Sequence, residues 1–221
     1  MMRRCFKGGR GHELSNFPFT KDTPLDAVRY VVLDTELTSV NSRSNRLLSV
    51  GGIAMDGPKI QIGKQFYREV NPGAPVAEAS VLVHKLRPND LADAEPPHQV
   101  LADLQKFIAG AVLVGHFVEM DLKILQKELA GTEHELNNPG VDTARVQEWI
   151  LRREPYSEDL PHRLEHLDLL SLAKAYGIEY HEAHQALSDA FVTARIWQKM
   201  LYVVRAKGLC KLGQLLRIGR V

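Results

Sequence analysis

Cysteine is scarce in this chain of 221 residues: Cys5 and Cys210 lie near opposite ends, with no Cys-x-x-Cys spacing. Two such residues make neither a disulfide scaffold nor a metal-binding ribbon. Long hydrophobic runs are missing too, since no stretch approaches the roughly 20 apolar residues that span a bilayer. The basic opening, Met1 to His12, is not followed by the apolar segment of a secretory leader. A reduced, cytoplasmic protein with no membrane contact is therefore expected. Charge of one sign is also lacking, with 28 basic against 27 acidic side chains and a net charge of +1. That balance argues against a protein that coats long nucleic acids, which normally carries a clear basic excess. An enzyme that grips a few nucleotides stays within it.

Hydrophobic residues make up 44% of the chain and charged residues a quarter, the proportions of one globular α/β domain able to bury its own core. Basic side chains concentrate after Trp197 (Lys199, Arg205, Lys207, Lys211, Arg217 and Arg220) with no acid among them. Such a run reads either as a solvated helix and tail or as a nucleic-acid contact. The organisation expected is a flexible arm over residues 1–26, one domain over 27–205, and a basic C-terminal tail over 206–221.

Arg29 to Glu36 is rich in valine, tyrosine and leucine and reads as a buried central strand. Leu47 to Met55 reads as a second, and Asp56-Gly57 as a hairpin turn into a third near Ile60 to Val70. Helical spacing of Val100, Leu101, Leu104, Phe107 and Ile108 predicts a helix over 98–108, stopped at Gly110. Ala111 to Val114 is a short buried strand, with a helix over about 121–129 after it. Val141-Asp142 opens a further strand, followed by helices over 143–151, 167–176 and 185–204, and Arg152 to His162 reads as a loop. Five strands, three in an antiparallel meander, alternating later with helices, predict an α/β fold with a mixed sheet covered on both faces.

Asp34 and Glu36 are two apart on the first strand, so their side chains emerge on one face roughly 7 Å apart. Like charges placed so suit a hard divalent cation, Mg²⁺ or Mn²⁺, between them; alone, the pair reads equally as a strand-end cap. His184 and Asp189 straddle the start of the last helix. Near neutral pH an imidazole there can take a proton from water, while the plain alternative is a surface histidine beside an acid favoured by the helix dipole. Asp121 opens a helix, with His116 and Phe117 in the turn before it, where a packed ring and a hydrogen-bonded imidazole are the simpler roles.

Taken together, Asp34-Thr35-Glu36-Leu37-Thr38-Ser39, Gly115 to Asp121, and His184-x4-Asp189 resemble the three motifs of the DEDDh 3′–5′ exonucleases. That group contains the proofreading subunit of bacterial replicative DNA polymerase, ribonuclease T and oligoribonuclease. Asn71-Pro72-Gly73, Val83-His84-Lys85-Leu86 and Asp90-Leu91 are similar to the segment between the first two motifs. The resemblance covers about 29–200 and implies a ribonuclease H-like five-stranded sheet, with residues 27–205 as the exonuclease domain. It implies two Mg²⁺ or Mn²⁺ ions held by Asp34, Glu36, Asp121 and Asp189, with His184 as general base. It further implies that Thr35, Leu37, Thr38, His84 and Phe117 touch the substrate, a single-stranded DNA or RNA 3′ end from which nucleoside 5′-monophosphates leave. DNA is the expected polymer, RNA or an oligoribonucleotide the second reading, and a non-catalytic nucleic-acid or polymerase-binding module the third. A polymerase partner and a homodimer are left open.

The chain departs from the usual motifs at Leu37, Ser39, Lys85, Phe117 and Met120, none of which removes an expected ligand or the base. His162, Glu165 and His166 formally match a His-x-x-Glu-His zinc pattern. Pro161 and the lack of a third ligand argue against it, and His181 reads as a loop residue.

Overall fold

In the computed structural model of the chain, which describes residues 17–39, 45–132, 135–155, 160–181 and 183–221, the valine-rich run forms the central strand β1 (Arg29–Leu37). Strands β2 (Leu47–Asp56) and β3 (Lys59–Glu69) follow in antiparallel order across the Gly57-Pro58 turn, where Gly57 takes a positive φ of 54°. The short strands β4 (Val112–Gly115) and β5 (Gly140–Asp142) add in parallel on the other side. The order β3-β2-β1-β4-β5 is the mixed five-stranded sheet expected from the sequence.

After the meander come α1 (Glu78–His84), α2 (Pro88–Leu91) and α3 (Pro97–Ile108). Helix α4 (Glu119–Leu129) follows β4, and α5 (Thr143–Leu151) follows β5 with Asp142 as its N-cap, accepting from the Ala144 N–H at 2.8 Å. Then come α6 (Leu160–Glu165), α7 (Leu169–Ala175), the long α8 (Ala186–Ala206) and α9 (Leu212–Gly219). Two cores result. Tyr30 and Val32 of β1 pack with Val192, Trp197 and Met200 of α8, whereas Val31 and Leu33 pack with Leu101 and Leu104 of α3 and Leu125 of α4. Period-two alternation along β1 thus feeds opposite faces of the sheet.

The basic tail expected over 206–221 is instead part of this body. Leu212 and Leu215 on α9 are fully buried, and α9 packs on α5 and β5. Each buried leucine contributes about 1.5–3 kcal/mol, while Lys207, Lys211, Arg217 and Arg220 stay exposed on the outer side. Likewise the expected arm ends short of residue 26. Phe17 and Phe19 pack against the core, Leu25 is buried in a 3₁₀ turn (Leu25–Ala27), and Leu25 N–H donates to the Cys210 carbonyl at 3.0 Å. The rest of the expected arm, 1–16, lies outside the described residues, as do 156–159 of the expected loop; the end of that loop is the start of α6. Among the described residues no helix is long and apolar enough to cross a membrane.

Candidate active site

Continuing the alternation of β1 sends Asp34 and Glu36 to the face covered by α8, and Thr35 to the face covered by α4. The start of α8 comes down onto that face because the residue paired with Asp34 across the sheet is Gly51. A Cβ on Gly51 would stand 2.3 Å from the Ala186 carbonyl carbon and 2.4 Å from the Leu187 nitrogen. Only a bare α-carbon admits the helix there. Asp189, in the first turn of α8, then reaches the strand, and ligand oxygens of Asp34, Glu36 and Asp189 all lie within 4.8 Å of one another.

Burial, and then the charges of Asp121, Asp189 and Glu36, hold the Asp34 carboxyl well above the usual range. Burial, then Asp189 and Asp121, pushes Glu36 up to about 8. Asp189 is also raised by burial, against the opposing hydrogen bonds from Tyr180 and His184. The strongest charges acting on Asp34 are thus all negative, which is unfavourable unless a cation shares the space. Three hard oxygen donors so arranged fit Mg²⁺ or Mn²⁺.

Asp189 uses both oxygens on its own loop. Tyr180 Oη donates to Oδ1 at 2.9 Å and the His184 N–H donates to Oδ2 at 3.1 Å. The second contact secures His184 in the left-handed region, φ 64°, on an exposed loop beside the carboxylates. Non-glycine residues avoid that region by about 1–2 kcal/mol, yet Lys85 (φ 62°) and Phe117 (φ 51°) adopt it too, and both flank this site. Strain of this kind gathers where function over-determines the backbone.

Asp121, in the first turn of α4, is buried, its charge is the strongest acting on Asp34, and it accepts from Thr35 Oγ1 at 2.5 Å. Burial raises its carboxyl to about 7 even against that hydrogen bond. Thr35, read from the sequence as a substrate contact, therefore commits its hydroxyl to an acid. Thr38 is also committed within the fold: it is buried, Oγ1 accepts from the Arg46 N–H at 3.0 Å, and its carbonyl accepts from Ser80 Oγ at 2.7 Å. Leu37 is half-buried against the α3/α4 core.

His84 is 4% exposed, and its Nδ1 accepts from the Leu86 N–H at 3.1 Å. Burial lowers its pKa, so the neutral ring carries its proton on Nε2, which has no hydrogen-bond partner. That ring stands in the wall of a pocket of about 220 Å³ lined also by Glu36, Ser49, Glu69 and Lys85. On the other flank Phe117 is 54% exposed over a groove of about 440 Å³ shared with Met120, Arg145 and Leu167. His116 bonds Thr143 Oγ1 through Nδ1 at 2.9 Å, as a turn histidine should.

Elsewhere His181 is a surface residue beside Glu179, and the rings of His162 and His166 lie against each other tilted by 52°, with centroids 4.3 Å apart. Among the described residues, Asp34, Glu36 and Asp189 form the one group of three possible metal ligands, so the zinc pattern gathers no site. Two working residues carry little or no mark in the sequence. Tyr180 has no local signal for a contact nine residues on. Asp142, which accepts from the Phe117 N–H at 3.2 Å as well as capping α5, is foreshadowed by an acid just before a helix.

A family model described as Exonuclease (RNase_T) matches residues 31–197. The DNA polymerase III subunit epsilon-like protein of Rhodobacter capsulatus is 30% identical over 211 residues, covering 94% of this chain but 28% of that protein. This chain therefore spans under a third of the length of that relative. Among solved structures, E. coli exonuclease I in complex with a dT13 oligonucleotide superposes with a TM-score of 0.66 at 18% identity, covering 82% of this chain and 42% of that one. The nuclease domain of 3′hExo, a DEDDh family member bound to rAMP, gives 0.65 at 14% identity, covering 79% and 92%. At these identities the likeness is one of fold. With its family match spanning most of the sheet and α8, the chain belongs to the exonuclease family, on a ribonuclease H-like fold.

Proposed function

We propose that the chain is a divalent-metal-dependent 3′–5′ exonuclease that removes nucleoside 5′-monophosphates from single-stranded DNA ends. The observation that carries this reading is the meeting of Asp34, Glu36 and Asp189 within 4.8 Å, with His184 pinned beside them by its backbone bond to Asp189. Those three carboxylates would hold the divalent cation, with Asp121 toward a second. When bound, such ions acidify water and take up charge on the phosphodiester and the leaving 3′-oxygen.

His184 takes the proton of the attacking water as general base, because its exposed imidazole stands on the loop tied to Asp189. The pocket behind Glu36 receives the terminal sugar. His84 forms part of its wall against the sugar, and Glu36 offers an acceptor. Phe117 offers its exposed face to a base of the strand, a contact of about 1–3 kcal/mol when rings stack. Leu37 supplies an apolar edge, and Thr35 and Thr38 act through their backbone and through the acids and loops they hold. DNA is favoured by the polymerase name of the relative, which also supports a polymerase as partner.

Rates on matched 5′-labelled DNA and RNA single strands, from dinucleotide upward, test this reading. DNA shortened one residue at a time from the 3′ end, faster than RNA, is expected. Faster RNA turnover overturns the choice of polymer. No shortening of either overturns the activity and leaves a binding module.

A further inference from the structure

The two helix-borne acids of the site, Asp121 and Asp189, are each held by a neutral hydroxyl from another element. Thr35 Oγ1 donates to Asp121 at 2.5 Å and Tyr180 Oη donates to Asp189 at 2.9 Å. A lysine or arginine in either place would neutralise the carboxylate and repel an incoming cation. A hydroxyl fixes one oxygen by a directional bond while leaving the charge and a free lone pair for an ion.

We infer that Tyr180 is a positioning residue for metal binding: its hydroxyl holds Asp189 in the ligating orientation against repulsion from Asp34 and Glu36. This rests on the metal-dependent reading of the site given above. Two observations support it. The Tyr180 ring packs against the α8-side core, so the hydroxyl is delivered from a fixed body rather than a loose loop. Asp189 Oδ2 is already taken by the His184 N–H, so Tyr180 supplies the second point that stops the carboxylate from rotating. Residues 180 and 184 are therefore tied to one carboxylate at both ends of the segment that carries the base. Loosening one tie frees the metal ligand first.

The test is Mn²⁺ binding to the purified full chain, without nucleic acid, by calorimetry or electron paramagnetic resonance, for wild type and Tyr180→Phe. Phenylalanine keeps the ring and its packing and removes only the donor. The expected result is a Mn²⁺ dissociation constant raised about 10- to 100-fold, a metal-free melting temperature close to wild type, and nuclease turnover that recovers as Mn²⁺ is raised past the new constant. Equal affinity in the two proteins, including the case where only the melting temperature falls, overturns the role of Tyr180 and leaves the exonuclease reading standing. A wild-type protein that binds no Mn²⁺ overturns both.

Discussion

Replacing Gly51 by alanine tests the packing that assembles the site. The added methyl would stand 2.3 Å from the Ala186 carbonyl carbon and 2.4 Å from both the Ala186 oxygen and the Leu187 nitrogen, whereas ordinary contact begins at 3.4 Å. All three partners are backbone atoms at the start of α8, so no side chain can swing aside. The helix or strand must retreat by about 1 Å, because a packed interior has no void to absorb the methyl. Asp189 rides on that same helical turn, while Asp34 and Glu36 stay on β1. Mg²⁺ tolerates little spread about its roughly 2.0–2.1 Å ligand distance, and a displacement of about 1 Å in a catalytic arrangement costs on the order of 10²-fold. Gly51→Ala is therefore expected to lose about 1–3 kcal/mol of stability from overpacking and about 10²-fold in turnover. Urea unfolding and release of mononucleotide from a labelled single strand measure the two. Gly63→Ala is the control, since Gly63 is exposed on β3 and a methyl added there would meet nothing within 4 Å. Wild-type turnover and melting in Gly51→Ala would refute the claim that this glycine sets the height of α8 over the acids.

Acidity of the cluster gives metal-free stability a definite pH dependence. Glu36, raised from 4.5 to about 8, and Asp34, Asp121 and Asp189, also raised, bind protons in the folded protein that the unfolded chain has released. The cluster's own contribution to stability in EDTA should be full below the ordinary carboxyl range and be lost as pH rises toward about 8, with the window above about 6.5 free of the opposing effect of His116, which burial lowers to about 4. Mg²⁺ should therefore raise the melting temperature more at pH 8 than near pH 5; melting in EDTA that holds or improves over that window contradicts this. His184→Ala should keep Mn²⁺ binding and slow hydrolysis by about 10²- to 10⁴-fold, read in single-turnover assays; unchanged turnover would require another base. Lys85, left-handed at the end of α1, should gain about 0.5–1 kcal/mol on replacement by glycine, measured by urea unfolding; a loss would mean that its side chain holds α1 in place.

Short connections between apolar runs made the meander legible, helical spacing with the stop at Gly110 located α3, and the helices expected over 143–151 and 185–204 agree with α5 and α8 to within a few residues. The C-terminal error has a plain cause: counting Lys207, Lys211, Arg217 and Arg220 hid the helical spacing of Leu209, Leu212, Leu215 and Leu216, the first three of which are buried. Strand alternation and helix position put Asp34, Glu36 and Asp189 at candidate places, but only the joint motif resemblance singled them out as ligands rather than caps. Asp121 was readable as an acid of the second motif, but its bond from Thr35 depends on where α4 packs on the sheet, and that is decided by packing. The same holds for Thr35, whose odd position on β1 turns its hydroxyl toward Asp121. Tyr180 depends on the path of a loop, and no spacing rule reaches that far.

The most direct test of the central claim uses a single-stranded DNA labelled on its 3′-terminal nucleotide, incubated with the purified chain and Mn²⁺ or Mg²⁺. The account predicts that the first labelled product is the nucleoside 5′-monophosphate, that EDTA abolishes its release, and that Asp34→Ala does the same. Labelled oligonucleotides as first product, or mononucleotide release that survives EDTA or Asp34→Ala, would contradict it.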